Sequence, residues 1–186
     1  LKSTEIEGEI LNKDQVRSSI ARRLGLEVSG LVDSPRNVDG VVEMMLDATQ
    51  NYTLAITDER LFGWHAALFP TGYSGMYKIE VAKYRSGDMQ VVSGAMGKVK
   101  VHYEAPKANV VEAEMNHFLK WFNNGSEIDP VLKAAVAHFW FITIHPFDDG
   151  NGRIARAITD MQLSRSDKSS QRFYSMSNQI LTERKK

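Results

Sequence analysis

A mainly α-helical domain carrying a single β-hairpin is expected from three features of this sequence. Apolar residues recur at helical spacing along most of the chain, one stretch is apolar almost all the way round, and strict alternation appears only once. At 186 residues the chain has the length of one domain, or of one domain with a small appendage. Its 42% hydrophobic content is enough to bury a core.

Residues 1–30 read as an N-terminal helical segment and residues 31–186 as the main domain. A loop over 29–39, with Gly30, Pro35 and Asn37, joins the two. Val38, Val41, Met45, Ala48, Tyr52 and Ala55 then fall at helical spacing, followed by Leu61, His65 and Leu68. Residues 89–93 and 99–103 have strand character around a Gly94-Ala95-Met96-Gly97 turn, which makes the hairpin. An isolated hairpin is marginal, so it must lean on a helix or a partner. Val111, Met115, Phe118 and Phe122 mark an amphipathic helix closed by Asn123-Asn124-Gly125. From Val131 to Ile144 the chain is apolar nearly throughout, which predicts a central helix buried on every side. Pro146 disfavours helical geometry at His145 and ends it. A new helix begins near Gly152 with Ile154, Ile158 and Met161 toward the core, and a last one is expected over 169–183.

Composition narrows the function. Lys+Arg and Asp+Glu both number 23, so no global field favours nucleic acid or an anionic membrane. Lys98, Lys100 and Lys107 are too scattered for a nucleic-acid stripe, and 168–186 is mixed in charge and reads as a solvated face. Cysteine is absent, which excludes disulfides and thiolate metal sites. No signal peptide and no membrane-length apolar run are evident, and a cytoplasmic location is expected. The chain starts at Leu1 rather than methionine and reads as part of a longer polypeptide.

The chemistry concentrates in His145-Pro-Phe-Asp-Asp-Gly-Asn-Gly-Arg153, followed by Arg156. Gly150, Asn151 and Gly152 can converge their N–H groups into an anion nest. That nest opens onto a helix N-terminus, where the dipole favours negative charge. Arg153 and Arg156 oppose that dipole, at about 0.3–1 kcal/mol each where exposed, which makes sense if a polyanion sits there. Arginine binds phosphate oxygens through two donors at once. Asp148-Asp149 would repel a bare phosphate but suits Mg²⁺ bridging phosphate oxygens. His145 is placed as a general base. Taken alone, Asp-Gly-Asn-Gly could also be a plain interhelical turn with Asn151 as N-cap. A calcium loop fits poorly, because Ile154 stands where glycine is required. His138 shares a face with His145, but a structural role suits it better than a metal pair. His65, His102 and His117 show no constellation, and Trp64, Trp121 and Trp140 read as packing rather than a base-stacking platform.

His145-Pro-Phe-x-Asp149-Gly-Asn-Gly-Arg153 resembles the signature of the Fic family, His-Pro-Phe-x-Asp/Glu-Gly-Asn-Gly/Lys-Arg, at every specified position. The similarity in layout covers residues 38–180. The resemblance implies a Fic-type helical bundle whose hairpin is a target-docking flap at Gly94, Ala95, Met96 and Gly97. It implies a protein adenylyltransferase that moves AMP from ATP to a Ser, Thr or Tyr hydroxyl of a target protein, itself included. His145 would be the base and Asp149 would hold Mg²⁺. Gly150, Asn151 and Gly152 would form the anion hole, the Asn151 side chain would steady the α-phosphate, and Arg153 and Arg156 would hold the β- and γ-phosphates. Phe147 would anchor the loop in the core. Gly152 stands where the phosphorylating branch has lysine, which favours AMP transfer. A de-AMPylating relative and a nucleotide-sensing module that transfers nothing are the alternatives; a homodimer is compatible with each.

Ser3-Thr4-Glu5-Ile6-Glu7-Gly8 also resembles the family's inhibitory motif, Ser/Thr-x-x-x-Glu-Gly/Asn. On that resemblance Ser3 and Glu7 form a brake in which Glu7 pairs with Arg156 and denies it to the γ-phosphate. The competing reading is an ordinary capping box from Thr4 to Glu7.

Overall fold

The computed structural model describes residues 2–93, 100–125, 127–171 and 174–183. The chain runs through α1 (Lys2–Ile6), α2 (Lys13–Arg23), α3 (Arg36–Gln50) and α4 (Asp58–Leu68). Then come two short strand pairs, β1 (Tyr73–Ser74) with β2 (Tyr77–Lys78) and β3 (Gln90–Ser93) with β4 (Lys100–Glu104). The helices α5 (Val111–Asn123), α6 (Pro130–Ile144), α7 (Asn151–Asp167) and α8 (Met176–Glu183) complete it. Both strand pairs are antiparallel. The mainly helical architecture and the β3–β4 hairpin match expectation, whereas the β1–β2 pair carries no alternation long enough to be seen in the sequence. The turn 94–97 lies outside the described residues. Among the described residues no helix is long and apolar enough to cross a membrane.

The core forms where α3, α4, α5 and α6 close around α7. Ile154, Ile158 and Met161 of α7 are fully buried with Phe118, Phe122, Phe141 and Ile144. Asn12 starts α2 by accepting from the Asp14 and Gln15 amides, and Asp129 starts α6 in the same way at Val131 and Leu132. The helices α3 and α4 pack backbone to backbone: a Cβ on Gly40 would lie 1.8 Å from the Ala67 carbonyl oxygen.

Four expectations need correction. The helix through Val38 stops at Gln50, so Tyr52 and Ala55 lie in the connection to α4. That turn is stabilised by guanidiniums that bond its carbonyls: Arg60 at Asn51, Leu54 and Ala55, Arg165 at Tyr52 and Leu54. The loop at 29–39 ends earlier, because Pro35 opens α3 directly. The last helix is confined to Met176–Glu183, since α7 runs on to Asp167 and stops at Lys168 in the left-handed region, φ 52°. Finally, α6 is not buried on every side. Ala134, Ala137, Phe141 and Ile144 face the core, but Val131, Leu132, Val136 and Phe139 are exposed, Phe139 by 74%. Its apolar content exceeds what its neighbours in this fold cover.

Candidate functional site

The loop between α6 and α7 is shaped by two left-handed residues. His145 terminates α6 at φ 51°, and Gly150 stands before α7 at φ 80°. At Gly150 a Cβ would also meet the Phe69 ring at 2.9 Å, so both backbone conformation and space require glycine. Phe147 is fully buried, as expected, and stacks on His65 with ring centroids 4.3 Å apart.

The Asn151 side chain holds the loop closed. Its carboxamide oxygen accepts from the Phe147 N–H at 2.9 Å and its nitrogen donates to the Phe147 carbonyl at 2.7 Å. That side chain is therefore occupied, and what Asn151 can offer an anion is its backbone N–H, not the carboxamide. It is not the N-cap of a plain turn either: Gly150 takes that position without a side-chain cap. The amides of Asn151, Gly152 and Arg153 have no partner among the described residues, while Gly150 donates to its neighbour's carboxylate, Asp149 Oδ1, at 2.5 Å. Three of the four amides at this turn thus remain available at the positive end of α7.

His145 is half-buried. Its Nδ1 lies 3.2 Å from the Ile142 carbonyl oxygen, and because a carbonyl only accepts, Nδ1 carries the hydrogen and Nε2 keeps its lone pair. Burial pushes its pKa below the ordinary histidine value, outweighing the bond to Ile142 and the Asp149 and Glu7 carboxylates nearby. A neutral imidazole with a free Nε2 is the form a general base needs. Asp149 projects a partly exposed carboxylate that accepts from the Ser74 hydroxyl and the Gly150 amide, with Arg153 at 3.9 Å. Asp148 turns away to accept from the Glu80 amide at 2.9 Å. Among the described residues no group of three or more His, Asp or Glu side chains is arranged to hold a metal ion alone. A single carboxylate is nonetheless the usual protein share for Mg²⁺ bound together with substrate phosphates.

Arg153 lies over the Phe69 ring at 4.8 Å, 3.7 Å from Glu9, with its buried Nε unpartnered. Arg156 is only 4% exposed. Its Nε donates to Ser3 Oγ at 2.7 Å, and its Nη2 donates to Ser3 O at 2.8 Å and Glu7 Oε1 at 2.6 Å. Thr4 lies inside α1 and its carbonyl accepts the Glu7 and Glu9 amides, so Glu7 follows a helix end and no capping box forms. The Glu7 carboxylate sits against Gly152, where a Cβ would meet Oε1 at 2.4 Å.

Sequence reasoning missed the residues that support this site. His65 is fully buried; its Nδ1 accepts from the Ala82 amide and its Nε2 donates to the Asp149 carbonyl, both at 3.2 Å. Arg85 is buried with no acidic hydrogen-bond partner among the described residues. It donates to the carbonyls of His145, Gly87 and Pro106 at 2.6–2.8 Å, and its amide donates to Pro146 O. A cation at the carbonyl end of α6 complements the helix dipole while fixing His145. His65 left one sign, a polar residue in an apolar stripe; Ser74 and Arg85 left none. The predicted flap residues Gly94, Ala95, Met96 and Gly97 lie outside the described residues.

Comparison with known proteins gives a consistent result. A model of the Fic/DOC family matches residues 55–163, and a domain of unknown function (DUF4172) matches residues 1–26. The chain is 40% identical over 58 residues to protein adenylyltransferase fic-1 of Caenorhabditis elegans, covering 30% of this chain and 11% of that protein. It is 27% identical over 168 residues to protein adenylyltransferase Fic of Drosophila willistoni, covering 88% of this chain and 31% of the relative. It therefore spans less than a third of either relative. Among solved structures, a Fic domain containing signaling protein from Bacteroides thetaiotaomicron superposes with a TM-score of 0.63 at 26% identity, over 88% of this chain and 60% of that one. Fic-1 of C. elegans does so at 0.56 and 23%, over 88% and 46%.

Proposed function

The chain belongs to the Fic/DOC family, and from that premise we propose that it is a protein adenylyltransferase restrained by its own Glu7. The observation that carries this reading is the start of α7. Available amides at Asn151, Gly152 and Arg153 meet Arg156 there, and a carboxylate already lies against Gly152. An anion site that holds its own carboxylate is suited to a phosphate when that carboxylate leaves.

With ATP in the loop, the amides cradle the α-phosphate, and Arg153 and Arg156 take the outer phosphates. His145 accepts the proton of a target Ser, Thr or Tyr hydroxyl at Nε2, and the hydroxyl oxygen attacks the α-phosphorus. The bond to the β-phosphate bridging oxygen breaks, pyrophosphate leaves and AMP remains on the target. Mg²⁺, held by Asp149, would neutralise phosphate charge during that step. Ser74 and the Gly150 amide orient the carboxylate; Arg85 and the Ile142 carbonyl orient the imidazole. The hairpin beyond β3 presents the target segment, with 94–97 as the docking flap. Residues 1–30 act as the inhibitory segment and 31–186 as the catalytic domain. Gly152 stands where the phosphorylating branch of the family has lysine, which favours AMP transfer over phosphorylation.

The test is the intact mass of Glu7→Gly protein after incubation with Mg-ATP, alone and with candidate target proteins. One added AMP is expected. An added phosphoryl group would assign the phosphorylating chemistry instead. Calorimetric ATP binding with no adduct on any protein would make this a nucleotide-sensing module, and loss of AMP from a pre-modified target would make it a de-AMPylating relative.

A further inference from the structure

A cavity of about 370 Å³ lies at the opposite end of α7 from the His145–Arg153 loop, between the α3–α4 connection and the start of α6. Lys133, Gln162 and Arg165 line it together with Phe122, and none of its described lining residues is acidic. Lys133 is 6% exposed and Arg165 is largely buried. Both cations lie over the same ring: Lys133 Nζ is 5.8 Å and the Arg165 guanidinium 4.7 Å from the Phe122 centroid. Neither has a carboxylate partner among the described residues.

Each cation makes backbone bonds that fix it but do not neutralise it. Lys133 donates to Asn124 O at 2.7 Å, and Arg165 donates through Nε to Tyr52 O and through one Nη2 hydrogen to Leu54 O. Both Arg165 Nη1 hydrogens, the second on Nη2 and two on Lys133 are left over. Burial lowers the pKa of both, Arg165 to about 10, and each is lowered further by a neighbouring cation, Lys133 by Arg165 and Arg165 by Arg60. Two like charges held this close in a partly dry site are unfavourable unless an anion joins them. Two donors with hydrogens left over, in a cavity whose described lining residues include no carboxylate, call for a ligand that accepts from both.

We infer that this cavity binds a small organic oxyanion that accepts from both Lys133 and Arg165. Its volume falls within the range of small-molecule sites. Whether the oxyanion is a carboxylate or a phosphate ester is for the test to decide. Because α7 carries this cavity at one end and the ATP loop at the other, local reporters are needed.

The experiment is an NMR titration of the whole chain, following the Trp121 indole N–H beneath Lys133 and the Gln162 carboxamide. The probes are glycerate and glycerol 3-phosphate, with glycerol as the neutral control. Saturable shifts of both reporters are expected with at least one anion and not with glycerol, and the tighter anion identifies the class. Lys133→Gln should weaken that binding about tenfold or more. The inference is overturned if neither anion shifts the reporters, if glycerol shifts them equally, or if Lys133→Gln binds as the wild type does. Should that variant not fold, the wild-type titration and its glycerol control decide.

Discussion

Asn151→Ala separates a residue that holds the loop from one that touches nucleotide. The Asn151 side chain makes two hydrogen bonds, at 2.9 and 2.7 Å, to the N–H and C=O of Phe147, and residue and partner are both buried. Removal leaves a buried donor and a buried acceptor unsatisfied, each costing about 1–3 kcal/mol. The total is about 2–6 kcal/mol, a large part of the roughly 5–15 kcal/mol that stabilises an ordinary domain. Asn151→Asp keeps the acceptor but buries a carboxylate whose second oxygen faces the Phe147 carbonyl, so it should cost at least as much. Urea denaturation reads both, as a shift in midpoint at constant slope. A loss below about 0.5 kcal/mol for Asn151→Ala, with ATP affinity nonetheless reduced, would refute the clamp and return the carboxamide to the phosphate.

Further outcomes follow from the same geometry. Glu7→Gly removes a charge-assisted bond from Arg156, worth about 1.5–3 kcal/mol, so AMP incorporation should rise roughly 10–150-fold. With Glu7 partly exposed, the lower part of that range is expected in a timed labelling assay; an unchanged rate would remove the brake. Gly150→Ala forces a side chain into the left-handed region and against Phe69, which should lower stability by about 2–3 kcal/mol in the same denaturation assay. His65, His138 and His145 all have pKa values lowered by burial. The folded state therefore binds fewer protons than the unfolded one. Their contribution to stability is complete above about pH 6.5 and erodes as pH falls from there toward the lowered values. A melting temperature that rises on acidification from pH 7 to 5.5 would contradict this. The acid limb of the transfer rate should also lie below the ordinary histidine range.

The helical order was readable because α3 and α5 each place one apolar face against the core, and periodicity records that face. It failed at α6, where continuous apolar character looked the same whether the outer side was covered or, as at Phe139, exposed. It also ran on past Gln50, because Tyr52 keeps helical spacing while Arg60 and Arg165 bond the carbonyls of a turn. In the loop, residue types requiring unusual backbone or phosphate geometry were visible in sequence: Gly150, Gly152, Arg153, Arg156. The Glu7–Arg156 pair was visible only through a motif, since nothing local joins residues so far apart. Arg85 and His65 act through bonds to main-chain carbonyls and amides, which carry no residue-type signature, and so stayed hidden.

The central claim concerns amides, and amides can be observed directly. In ¹⁵N-labelled Glu7→Gly protein titrated with Mg-ATP, the Asn151, Gly152 and Arg153 N–H resonances should move downfield together and saturate as phosphate oxygens accept from them. The Phe147 N–H, held by the Asn151 side chain, should move far less. ATP binding that saturates while those three resonances stay in place would contradict the account.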